Sequence, residues 1–211
     1  MNADSSTITI TTSDGITLEA DTHVPLRARL VAVLCHPHPQ YGGERHNNVV
    51  TALWRALPVA NVAVVRFDFR GVGGSGGRSE GGAAERADVH AALDLAATLV
   101  PGAPLLLAGY SFGADVALTV DDPRLAGWFV AAPPLRVFPA EDFVAAGDPR
   151  PVCICAPEHD QYAPPEVARA ATAGWASTSV VVVPEADHFL HGATAVVADH
   201  AVAFTATLLG A

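Results

Sequence analysis

Hydrophobic and polar positions succeed one another along this chain in two rhythms. Thr and Ile alternate from Ser6 to Thr12, a two-residue period that predicts a strand with one apolar face. A turn at Ser13-Asp14-Gly15 leads to a second such segment, Ile16 to Val24, and the two predict an antiparallel hairpin. Apolar runs follow. Leu30–Cys35 and Leu105–Ala108 are short and wholly apolar, as parallel strands buried on both faces must be. Asn61–Phe67, Leu125–Ala131, Pro151–Ala156 and Ser179–Val183 predict further strands. Between them the spacing becomes helical over Asn47–Leu57, Ala83–Leu99, Asp115–Val120, Pro165–Trp175 and Ala193–Leu209. In the second of these, Ala87, Ala91, Leu95 and Leu99 recur every four residues. A hairpin followed by alternating strands and helices predicts an α/β fold with a mostly parallel sheet and helices on both faces. No linker, repeat or low-complexity tract interrupts it, so residues 1–211 are read as one domain.

One junction stands out. Leu105–Ala108 runs into Gly109-Tyr110-Ser111-Phe112-Gly113 and then directly into an apolar helical segment. Strand, Gly-x-Ser-x-Gly and helix in that order predict a turn so tight that Ser111 sits in a strained backbone conformation, its hydroxyl lifted above the sheet edge. Glycine is expected at 109 and 113 because a Cβ there would collide where strand and helix pack.

Composition narrows the chemistry. A formal net charge of −10 argues against nucleic acid or an anionic membrane as a partner. No apolar run reaches bilayer-spanning length. Met1 to Ser6 show no basic stretch followed by an apolar one, so no secretory leader is predicted. Cys35, Cys153 and Cys155 lie in predicted buried strands, without Cys-x-x-Cys spacing, as small core residues of a reducing, cytoplasmic protein.

A serine hydroxyl needs a base to take its proton and a carboxylate to orient that base. In open α/β sheets such groups sit on loops at the carboxyl ends of strands. His188 follows the last strand and precedes the closing helix, which makes it the candidate base; His191 is the weaker one. After Val152–Cys155, Glu158 and Asp160 compete for the carboxylate role. The loop length and the proline that restarts the helix favour Asp160, with Asp142 a weaker alternative and Asp187 too close to His188 to turn back on its ring. The tetrahedral oxyanion needs donors. The backbone N–H of Phe112 is one. The second is expected from the loop after Leu30–Cys35, where, within Pro37-His38-Pro39, only His38 has an N–H to give; Gln40, Gly42 and Gly43 lie nearby.

These motifs together resemble the α/β-hydrolase superfamily, and most closely its small bacterial His-Pro-His-Pro branch related to dienelactone-hydrolase-like proteins. The resemblance runs from about Leu30 to the C-terminus. It is carried by His36-Pro37-His38-Pro39 with Tyr41-Gly42-Gly43, Arg66 to Gly73, Gly109 to Gly113, Asp160 with Pro164, and Asp187-His188-Phe189. Pro157 stands where such families often have glycine. The resemblance implies a Ser-His-Asp triad of Ser111, His188 and Asp160, an oxyanion hole at Phe112 and His38, no cofactor or metal, and hydrolysis of an ester or thioester of a small acyl substrate.

Other signals weigh less. Gly71-Val72-Gly73-Gly74-Ser75-Gly76 satisfies a dinucleotide fingerprint, but the next helix opens too late to receive a pyrophosphate on its N-terminus. His36 and His38 lack a third metal ligand at local spacing. A non-catalytic binding module of the same fold is the alternative function, against which the presence of both Ser111 and His188 weighs. Arg66, Arg70 and Glu85 are candidates for structural ion pairs. Residues 132–150 are too few for a cap domain, which predicts an open or lightly covered site walled by Ala132–Val137 and Phe143.

Overall fold

The computed structural model describes residues 4–210, so the reading of the chain's first three residues lies outside it. Eight strands form one sheet in the order β1-β2-β4-β3-β5-β6-β7-β8. They are β1 (Asp4–Thr11), β2 (Thr17–Val24), β3 (Leu30–Cys35), β4 (Val62–Phe67), β5 (Leu105–Tyr110), β6 (Leu125–Ala131), β7 (Val152–Pro157) and β8 (Thr178–Val183). The hairpin β1–β2 joins antiparallel to β4, and every pairing from β4 to β8 is parallel. Among the described residues, no helix is long and apolar enough to cross a membrane.

Alternation along the central strands builds a core on each face of the sheet. Val31, Val33 and Cys35 of β3 point to one side, where α2 (Glu85–Leu99) and α3 (Phe112–Leu118) pack. Leu30, Ala32 and Leu34 point to the other, under α1 (Asn48–Ala56) and α5 (Thr194–Leu208). Helix α4 (Pro165–Ala171) links β7 to β8. The three cysteines are buried and unpaired, and burial pushes the Cys35 thiol well up.

Two boundaries differ from the pattern for local reasons. Helix α3 starts at Phe112, not Asp115, because the chain must enter a helical turn immediately after the strained residue 111. Strand β4 starts at Val62 because Asn61 takes a left-handed conformation, φ 59°, closing the turn after α1. Residues 132–150 hold only two short 3-10 turns, Ala140–Asp142 and Val144–Ala146, so no cap domain stands over the strand ends. Phe143 is not part of a site wall. It is buried in the core against Phe138 and Trp175, since a phenylalanine finds more apolar area there than at a solvated rim.

Candidate active site

The carboxyl ends of β3, β5, β6, β7 and β8 converge on one cavity of about 500 Å3. Ser111 sits at its floor. Its backbone is at φ 53°, ψ −121°, a conformation that L-residues adopt only under constraint. One hydrogen bond and two flanking glycines accommodate it. The Ser111 N–H donates to the Ala131 carbonyl at 3.0 Å, which clamps the turn to β6. A Cβ on residue 109 would lie 2.4 Å from the Gly113 carbonyl oxygen, and one on residue 113 would lie 2.3 Å from that of His36. The first clash is the predicted strand–helix crowding. The second is different: Gly113 lets α3 pack against the end of β3 and so brings the His36–Pro39 loop over the serine.

His188 and Asp160 complete a line of side chains. Ser111 Oγ is 2.9 Å from His188 Nε2, and His188 Nδ1 is 2.9 Å from Asp160 Oδ2. Asp160 is buried, and its other oxygen accepts the N–H groups of Tyr162 and Ala163 at 2.7 and 3.2 Å, so its orientation is fixed. The loop turns at Pro157 through an Asp160 N–H to Pro157 carbonyl bond. The imidazole is held by the edge of Tyr162, ring centroids 4.5 Å apart, and by the Tyr110 hydroxyl donating to the His188 carbonyl at 2.9 Å. The competing acids point elsewhere. Glu158 accepts from the Glu185 N–H, Asp142 pairs with Arg86, and Asp187 accepts from the Phe189 N–H. His191 stacks on Phe189 at the surface.

Phe112 and His38 both line the cavity, and their rings pack at 4.7 Å. Neither backbone N–H donates to an acceptor among the described residues. The His38 loop is rigid for reasons beyond its prolines. His38 Nδ1 accepts the Gln40 N–H, and the His38 carbonyl accepts the N–H of Tyr41 and of Gly43. Beneath it, His36 is fully buried. Its Nε2 accepts the Phe69 N–H at 3.0 Å, so Nδ1 carries the proton and donates to the Pro37 carbonyl at 2.6 Å. Burial lowers its pKa to about 4, which keeps the ring neutral. His36 thus ties the loop after β3 to the loop after β4.

The glycine-rich loop is consumed by the fold. Gly74 N–H donates to Glu19, and the N–H groups of Gly71, Ser75 and Gly76 all go to backbone carbonyls. A phosphate would meet a carboxylate where it needs donors. Nearby, Arg66 pairs with Asp21, Arg70 with Asp88 and Asp14, and Glu85 accepts from Ser79, Glu80 and Gly82. The two arginines are ion-paired as expected, whereas Glu85 acts as an acceptor for its own loop.

One buried acid escaped the pattern reading. Asp115, on α3, accepts the N–H groups of Leu135, Arg136 and Val137, each at 3.0 Å. Burial outweighs these bonds and raises its pKa to about 6. It pins the loop after β6, which brings Pro134, Arg136 and Val137 to the cavity. The available signal was an acid inside an otherwise apolar helix. Around the mouth, Tyr41, Tyr162 and Phe189 are exposed, leaving the site open.

A family model described as serine aminopeptidase, S33, matches residues 27–147, more than half of the chain. An uncharacterized protein of Rickettsia prowazekii (strain Madrid E), RP471, is 37% identical over 116 residues; the match covers 54% of this chain, which spans about half, 49%, of that relative. An alpha-beta serine hydrolase homologue from Coxiella burnetii is 31% identical, with a TM-score of 0.84 and coverage of 97% of this chain and 98% of that one. XC6422 from Xanthomonas campestris, a serine hydrolase described as without lid, is 27% identical, with a TM-score of 0.85 and coverage of 98% and 95%. With a family match over more than half of its length and a fold shared with serine hydrolase homologues, the chain belongs to the serine aminopeptidase S33 family of the α/β-hydrolase superfamily.

Proposed function

We propose that this protein is a serine hydrolase that cleaves an ester or thioester of a small acyl substrate through Ser111, His188 and Asp160. The observation that carries the reading is the unbroken line from Ser111 Oγ through the imidazole to Asp160, two contacts of 2.9 Å at the floor of an open cavity. As Ser111 Oγ attacks the acyl carbonyl, His188 Nε2 takes its proton and Asp160 stabilises the imidazolium. The Phe112 and His38 N–H groups, uncommitted within the fold, receive the oxyanion. His188 then protonates the leaving group, and a water it activates releases the acyl group from Ser111. The family's name includes an aminopeptidase. An enzyme that reads a free α-ammonium group needs a carboxylate to receive it. Among the described residues no Asp or Glu lines this cavity, whereas Arg136 does, which favours an uncharged or anionic acyl compound over a peptide amino terminus.

Labelling with a fluorophosphonate probe tests the reading. Wild-type protein is expected to label, Ser111→Ala not at all, and His188→Ala far more slowly. Well-folded wild type that takes no label would shift the reading to a binding module.

A further inference from the structure

We propose that Arg136 selects substrates that carry a carboxylate a few carbons from the scissile acyl bond. This rests on the serine hydrolase reading above and names the substrate class.

The chain has no lysine, so its permanent cations are arginines. Arg45, Arg66, Arg70, Arg86, Arg124 and Arg150 pair with carboxylates, away from the cavity floor. Arg136 lines the cavity, and its guanidinium makes no ion pair among the described residues. Among the described residues it is the only arginine that lines the cavity, and no acid lines it. Asp115, the acid that feels its charge, is buried and saturated by three backbone N–H groups.

Its backbone is nonetheless fixed. The Asp115 carboxylate holds the backbone of residues 135–137. The guanidinium lies over the Tyr162 ring, 4.5 Å from its centroid, and that ring meets the imidazole of His188 at 4.5 Å. A guanidinium seated over a ring spends no N–H donor on an ion pair and keeps the fork that matches a carboxylate. The guanidinium therefore lies within about 9 Å of the candidate base's ring, the range in which a carboxylate a few carbons from the acyl bond would fall. Val137 and Phe189 supply apolar surface for those carbons. In a protein of net charge −10, a cation at the cavity also offsets the repulsion that an anionic substrate would otherwise meet.

The test compares kcat/KM within two matched ester pairs. One pair is 4-nitrophenyl hydrogen glutarate and its methyl ester, with the charge on the acyl side. The other is 4-acetoxybenzoate and its methyl ester, with the charge on the leaving side. Wild type is expected to prefer the free acid in at least one pair by about tenfold or more. Arg136→Gln should abolish that preference, and Arg136→Lys should keep part of it. At about 1 M salt, where the screening length is ~3 Å, the wild-type preference should shrink. A merely structural role for Arg136 would lower both members of a pair alike and leave the ratio unchanged, which overturns the proposal. So does a wild type without preference for either acid, or a preference indifferent to salt. If wild type cleaves the neutral esters and labels with fluorophosphonate, such a result removes this inference alone. If it does neither, the hydrolase reading fails with it.

Discussion

Asp160→Asn separates the charge of the third residue from its shape. In the native protein one carboxylate oxygen takes two N–H groups, from Tyr162 and Ala163, and the other faces His188 Nδ1 at 2.9 Å. An asparagine keeps its amide oxygen toward the two N–H groups, because the flipped form would set its NH2 against both. The NH2 then faces Nδ1, which must become the acceptor. The ring proton moves to Nε2, where it points at Ser111 Oγ and blocks proton abstraction. Returning to the productive tautomer places two buried donors face to face, each costing about 1–3 kcal/mol. Together this is roughly 2–6 kcal/mol, and the carboxylate's stabilisation of the imidazolium is lost besides. At about 1.4 kcal/mol per decade, kcat should fall by about 30-fold to 10⁴-fold. The assay is steady-state hydrolysis of a 4-nitrophenyl ester, with thermal unfolding to confirm that the variant folds. A folded Asp160→Asn protein within tenfold of wild type would refute the tautomer argument and remove Asp160 from the proposed triad.

Gly113→Ala sets a Cβ against the backbone oxygens of His36 and Cys35, at 2.3 and 2.6 Å, where no side chain can give way. We expect a loss of about 1–3 kcal/mol in urea unfolding, and an unchanged midpoint would contradict it. His36 holds its folded pKa near 4 against an ordinary 6.5 through burial, so the unfolded chain binds the extra proton between those values. Stability should therefore fall on the order of 3 kcal/mol as pH drops from 6.5 to 4, and the drop should flatten in His36→Gln. Asp115 has the opposite sign. Its folded pKa is raised to about 6 from an ordinary 3.8, so the native state holds the extra proton and loses stability as pH rises from about 4 to 6. Relative to wild type, Asp115→Asn should lack that decline; parallel pH profiles of the two proteins would show that the carboxylate does not titrate in this window.

Where burial is two-sided, the fold was legible in sequence. The apolar runs of β3 and β5 mark the centre of the sheet because parallel strands there meet core on both faces. The elbow was legible because its glycines answer a local steric demand. His188 and Asp160 were placed by their distance from strand ends, and Ser111, His188 and Asp160 are brought into hydrogen-bond reach. Partnerships across the sheet were not legible. Nothing near His36 in sequence announces that Phe69 will donate to its ring, and nothing near Asp115 points to residues 135–137. Phe143 misled for the same reason: a loop position says little about which way an aromatic ring will turn when a core pocket lies beneath it.

The strand order also fixes a sequence of events during synthesis. Once β5 has joined β3, the chain adds β6, β7 and β8 outward along a single edge. The clamp on Ser111 comes with β6, the acid with β7, and the imidazole, 77 residues after the serine, only with the loop beyond β8. With the proposed triad, a growing chain on the ribosome carries Ser111 without its base until the last strand has docked. Fluorophosphonate labelling, on the proposed mechanism, then reports completed assembly, and in refolding it should emerge after the bulk of the helical signal has returned.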